Sequence, residues 1–216
     1  MLAYRKERMD DEAPDYYPWN WPSPIPRYWA YSKLFKSKLL AKVFEHAGDD
    51  APERVNPELP FVDRYWHYFW SVDPTQVADG LFLGSAKNAA DSASLESNEI
   101  ATVVNATTEI DNFFEGRHDK IQYVNVALND TRSARIENVE AAFVAAVEAV
   151  DRDLQAGKHV LVHCFMGASR SVALVCAYLM KYRAMTLNDA YQLVQEKRPC
   201  AALNHNFHAW LEQWQP

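Results

Sequence analysis

Residues 160–180 read VLVHCFMGASRSVALVCAYLM. An apolar run, Val160 to Val162, leads into His163-Cys164; a five-residue loop separates Cys164 from Arg170, and a second apolar stretch follows. The first run has the pattern of a strand buried on both faces, and the second has the length and content of a packed helix. A strand passed to a helix through a short loop is the unit of an α/β layer fold. In such folds ligands sit at the carboxyl ends of strands, beside the first turns of the following helices. Cys164 falls at that place. Its spacing alone leaves three readings: a core thiol, a metal ligand or a nucleophile.

Working outward, GLFLG (80–84), IATVVNAT (100–107), IQYVNVAL (121–128) and KHVLVHC (158–164) read as strands. Between the last two lies a helical pattern. Ile136, Val139, Phe143, Val147, Val150 and Leu154 share one face, and Gly157 is placed to end it. After Arg170 a helix is expected to about Arg183. TLNDAYQLVQEKRP opens with Thr186 and Asp189 at capping-box spacing and stops at Pro199. Strands alternating with helices predict an α/β fold with a mostly parallel central sheet flanked by helices.

Composition changes near residue 72. Nine of the 11 prolines lie at or before Pro74, and five of the seven tryptophans lie before it. YYPWNWPSPIP (16–26) carries four prolines, which forbid a helix and favour extended geometry. RYWAYSKLFKSKLLAKVFEHAG (27–48) suits a basic helix ended by Gly48. So many aromatic side chains are costly to leave in water. Residues 1–72 are therefore read as an extension strapped to a domain at 73–216, with docking surface or membrane-facing helix as the sharper alternatives.

The formal net charge is −7, which disfavours a nucleic-acid surface because phosphate neutralisation needs clustered Lys and Arg. No apolar run reaches the roughly 20 residues of a membrane helix. Cys164, Cys176 and Cys200 form no CxxC pair and are odd in number, which favours a reducing compartment, cytoplasmic or nuclear, over a disulfide framework. MLAYRKERMDDE is too charged for a signal peptide.

An acidic protein binds phosphate only through a local set of donors, and the loop offers one. The first amides of a helix lack intrahelical partners and carry partial positive charge. Phe165, Met166, Gly167, Ala168 and Ser169 can wrap their N–H groups around an anion, with Gly167 free to take a positive φ. The same field favours a thiolate at Cys164. Arg170 can return over the loop and grip two phosphate oxygens with its planar fork.

His163-Cys164-x5-Arg170-Ser171 resembles the motif of cysteine-dependent protein phosphatases, in particular the small dual-specificity branch. Three further segments carry the likeness in order: 79–107 is similar to the family's first strand, helix and second strand, YVNVALNDT (123–131) to its general-acid region, and RPCAALNHNFHAWLEQW (198–214) to its last helix. The resemblance covers roughly residues 72–214 and leaves out the extension. It implies hydrolysis of phosphoprotein substrates without a metal or cofactor. Cys164 would attack phosphorus to give a phosphocysteine. Arg170 and the amides of Phe165 through Arg170 would hold the equatorial oxygens. Asp130 would protonate the leaving oxygen and then activate water. Ser171 would donate to the sulfur as it leaves, His163 would orient the loop, and Asn204 would buttress it.

The plainer readings stay beside these. Asp130 is also a turn aspartate, with Asp111 and Asp119 as other acids in the preceding loop. A zinc site lacks a second ligand cluster, and His205 with His208 reads as a surface or structural pair. Cys176 falls on a core face. Arg198 is read as a structural ion pair or a contact to a second phosphate. Phe165, Met166 and Ala168 leave the loop uncharged, which disfavours phosphoinositides and suggests an apolar rim suited to phosphotyrosine.

Overall fold

The computed structural model describes residues 73–116, 121–130 and 140–214. Among them five strands form one sheet: β1 (Thr75–Ala78), β2 (Leu81–Gly84), β3 (Ile100–Asn105), β4 (Gln122–Asn125) and β5 (His159–His163). The helices are α1 (Ala86–Ala90), α2 (Ser92–Ser97), α3 (Glu140–Gln155), α4 (Arg170–Arg183), α5 (Leu187–Lys197) and α6 (His205–Gln213). The extension (1–72), with its helix over 27–48, lies outside the described residues, as do Asp119, Ile136 and Val139.

The strand order is β1-β2-β5-β3-β4. All neighbours run parallel except β1, which pairs antiparallel with β2. The mostly parallel sheet expected from the sequence is thus present, with an antiparallel edge added. β1 is short, follows Pro74 and buries Val77, so it carries no alternation for a sequence reading to find.

β5 sits at the centre, and its side chains divide between two layers. Val160 and Val162 join Leu81, Leu83 and Val104 against α3, α4, α5 and α6. Leu161 joins Phe82 and Val103 on the opposite face, where Ala89 of α1 and Leu95 of α2 cover them. Both faces are therefore apolar, which explains the continuous hydrophobic run. On α3, Phe143, Ala146, Val147 and Val150 are buried, and Gly157 takes φ 73 just past its end. One helix was expected between the first two parallel strands. The chain makes two, because the Asp91 side chain accepts from Ser94 N–H and starts a new helix there.

Register fixes the place of the loop. Gly84 of β2 and Asn105 of β3 both pair with His163. Three parallel strands therefore end level, and their following loops meet at one edge of the sheet. Among the described residues, no helix is long and apolar enough to cross a membrane.

Candidate active site

Cys164 is the first residue past β5, and α4 begins six positions later at Arg170. Gly167 N–H donates to Cys164 Sγ at 3.2 Å, and Ser171 Oγ donates to the same sulfur at 3.3 Å. Two donors thus converge on one sulfur. Ser169 is the N-cap residue of α4, yet its side chain makes no cap hydrogen bond. Its hydroxyl instead donates to Asp130 Oδ1 at 3.2 Å and accepts from Asn204 N–H at 3.1 Å. The helix start is thereby left uncapped by its own serine, which suits an anion.

Gly167 has φ 69, and a Cβ there would lie 2.4 Å from the Gly84 carbonyl oxygen. The loop is pressed against β2, so no other residue fits without moving backbone. Phe165 O accepts from Ala86 N–H at 3.0 Å, and Ala168 O accepts from Ala202 N–H at 2.7 Å. Arg198 is fully buried and donates to Gly167 O at 2.7 Å, to Met166 O at 3.2 Å and to Thr75 Oγ1 at 3.1 Å. Carbonyls of Phe165, Met166, Gly167 and Ala168 are therefore all held by outside donors. Arg198 serves the loop backbone, not a second phosphate.

Arg170 is 4% exposed. Its Nη1 and Nη2 meet Glu109 Oε2 and Oε1, each at 2.9 Å, and Nη1 also donates to Leu128 O at 3.3 Å. Nε stands 3.7 Å from Asp130 Oδ2 and has no hydrogen-bond partner among the described residues. Burial opposes the charge, but Glu109, the Cys164 sulfur and Asp130 outweigh it, so the guanidinium stays firmly protonated.

Asp130 lies between these groups. It accepts from Ser169 Oγ and from Asn204 Nδ2, the latter at 3.4 Å, and stands in an ion pair with Arg170. Asn204 thus supports the acid as well as the loop. Asp111, the described alternative, is exposed on the loop after β3. His163 is buried, with Nδ1 3.4 Å from Cys164 O, and burial pushes its pKa down to about 4. It is neutral at physiological pH. Phe165 and Met166 are 8% and 7% exposed, so neither forms the open apolar rim expected from the sequence. Cys176 is buried in α4, its thiol pushed up to about 12 by burial. Burial also raises the Cys200 thiol.

Glu109 was not singled out by the sequence reading. The signal was available in NATTEI (105–110): an acid in the loop after a strand that neighbours the cysteine strand. That neighbourhood became visible only with the strand order. His208 Nδ1 meets Glu212 Oε1 at 3.6 Å, one turn along α6.

The family model described as "Dual specificity phosphatase, catalytic domain" matches residues 81–216. Human dual specificity protein phosphatase 9 is 39% identical over 134 residues, which span 62% of this chain and 34% of that protein. Human dual specificity protein phosphatase 21 is 37% identical over 134 residues, 62% of this chain and 67% of that protein. The crystal structure of human tyrosine phosphatase-like serine/threonine/tyrosine-interacting protein aligns with TM-score 0.58 at 29% identity, over 65% of this chain and 94% of that one. The matched segment contains the strand, loop and helix that present Cys164 and Arg170, and by that match the chain belongs to the dual specificity phosphatase family.

Proposed function

We propose that the chain hydrolyses phosphotyrosine, phosphoserine and phosphothreonine in proteins through a phosphocysteine intermediate, with residues 73–216 as the catalytic domain. The observation that carries this is the convergence on Cys164 Sγ of Gly167 N–H and Ser171 Oγ–H, beside a charged Arg170 and Asp130. The family membership points the same way.

In the first step Cys164 attacks phosphorus, and Asp130 gives its proton to the leaving oxygen. Arg170 and the loop amides receive charge on the transferring oxygens. In the second step Asp130 takes a proton from the attacking water, and the Ser171 hydroxyl steadies the departing thiolate. Each of these groups belongs to the chain itself, so the reading needs no metal or cofactor. Neutral His163 beneath the loop adds no cation and keeps the Cys164 peptide in place. The free thiols Cys164, Cys176 and Cys200 suit a reducing compartment, the cytoplasm or nucleus.

Hydrolysis of a small aryl phosphate by wild type, Cys164→Ser and Asp130→Asn tests the scheme. Cys164→Ser is expected to abolish turnover, and Asp130→Asn to lower it about 100-fold or more. Undiminished turnover in Cys164→Ser sinks the covalent route. A wild type that binds phosphopeptides without hydrolysing them would instead be a binding module.

A further inference from the structure

Resting on the phosphatase reading, we infer that Glu109 is a positioning residue for Arg170: it fixes the plane of the guanidinium so that the Nε edge is left for the transferring phosphoryl group.

The geometry gives Glu109 one face of the guanidinium fork. Its two carboxylate oxygens take Nη1 and Nη2 at 2.9 Å each, a bidentate pairing. Leu128 O takes a further Nη1 proton. Nε is then the one guanidinium nitrogen without a hydrogen-bond partner among the described residues, and it is buried. Buried donors are rarely left so, and an orphan at a site is a place for a ligand atom. This edge lies on the Asp130 side, with Asp130 Oδ2 at 3.7 Å. A phosphoryl group held between Cys164 and Asp130 would meet that edge.

Glu109 is itself held on firm ground. Its Oε2 accepts from Thr108 N–H at 3.1 Å and from Thr108 Oγ1 at 3.3 Å. Buried Asn105, the last residue of β3, donates from Nδ2 to Ile110 O at 2.8 Å and accepts from Thr107 Oγ1 at 2.7 Å. Asn105 also pairs with His163 in the sheet. The carboxylate is therefore referenced to the strand that delivers Cys164. Thr108 Oγ1 also meets Asn129 Oδ1 at 3.1 Å, which ties the same loop to the Asp130 segment. One loop thus sets the phosphate grip and neighbours the acid.

A carboxylate on the phosphate-binding arginine has an opposite reading, in which it competes with substrate. The two give opposite signs. As a positioning residue, Glu109→Gln keeps the size but places an amide N–H₂ against one Nη, so the guanidinium turns. Tungstate binding by calorimetry should weaken, and turnover of an aryl phosphate should fall, each by about 10- to 100-fold. Glu109→Asp keeps the charge but shortens the reach, and should fall in the same direction; rescue by Asp would mean that charge alone matters. In Arg170→Lys, which has no fork, adding Glu109→Gln should change tungstate affinity little. Melting curves confirm folding, and the Asp variant carries the test if the Gln variant does not fold. Unchanged or tighter tungstate binding in both variants, with active wild type, overturns the assignment alone. A wild type that neither binds tungstate nor hydrolyses the ester overturns the phosphatase reading and this one together.

Discussion

His163 shows how a single buried side chain links the loop to acid stability. It is desolvated beneath Cys164, and its pKa falls from the ordinary 6.5 to about 4. Arg170 reinforces the fall, while Glu109 and the Cys164 carbonyl oppose it. The folded state thus binds fewer protons than the unfolded chain between these values, so stability is lost as pH falls from 6.5 toward 4. From pH 7.5 to 4.5 the loss from this group is about 2–3 kcal/mol. His163→Asn, which does not titrate, should show a shallower fall in urea-unfolding free energy by that amount. Parallel curves for the two proteins would show that His163 is already neutral in the unfolded reference or charged in the fold. At this scale the sequence was legible where chemistry is local. Cys164, Gly167, Arg170 and Ser171 act through one loop, and their spacing carries the pattern. Glu109 reaches Arg170 from the loop after β3, and no spacing along the chain places it there; Asn204 was named only through the family resemblance, and its contact with Asp130 came with the structure.

The elements around the loop form its mould. α1 supplies Ala86 N–H, the segment after α5 supplies Ala202 N–H, and Arg198 at the end of α5 supplies a buried fork. With the carbonyls so engaged, the loop backbone is held from outside on both flanks. Arg198→Lys retains the charge but cannot span Gly167 O and Met166 O. Leaving one buried carbonyl unpaired costs about 1–3 kcal/mol, and turnover should drop with it. Thr186→Ala makes the contrast. Thr186 caps α5 by accepting from Asp189 N–H at 3.2 Å, and losing that cap costs about 1 kcal/mol. Urea midpoints should fall in both variants, but turnover only in Arg198→Lys. Equal turnover in the two would show that the Arg198 fork does not shape the loop. The Thr186 cap of α5 and the apolar runs of β2 through β5 were readable because each is written in adjacent residues. The break at Asp91 and the role of Arg198 were not. A capping aspartate inside an alanine- and serine-rich stretch looks like a helical surface, and a lone arginine does not announce carbonyl partners 31 and 32 residues away.

At the scale of the whole molecule, β1 bears on where the domain begins. The family model starts at residue 81, yet β1 lies before it. Val77 of β1 is 2% exposed and belongs to the main core, and Thr75 Oγ1 receives Arg198 Nη1 at 3.1 Å. The strand therefore covers an edge of β2 and contacts the arginine that holds the loop. On this ground we propose that the unit is 73–216, with residues 1–72 as an extension of it. A fragment of 73–216 should melt cooperatively and turn over an aryl phosphate as the full chain does. Starting instead at Gly80 removes the Val77 side chain and the β1 ladder, a loss of roughly 3 kcal/mol or more, and takes away the Thr75 contact. That shorter fragment should melt lower and lose turnover. A phosphoprotein panel then isolates the extension: changed rates on proteins with unchanged rates on the aryl ester mean docking. Equal melting and turnover for the two fragments would move the boundary to 81 and leave β1 as a dispensable edge.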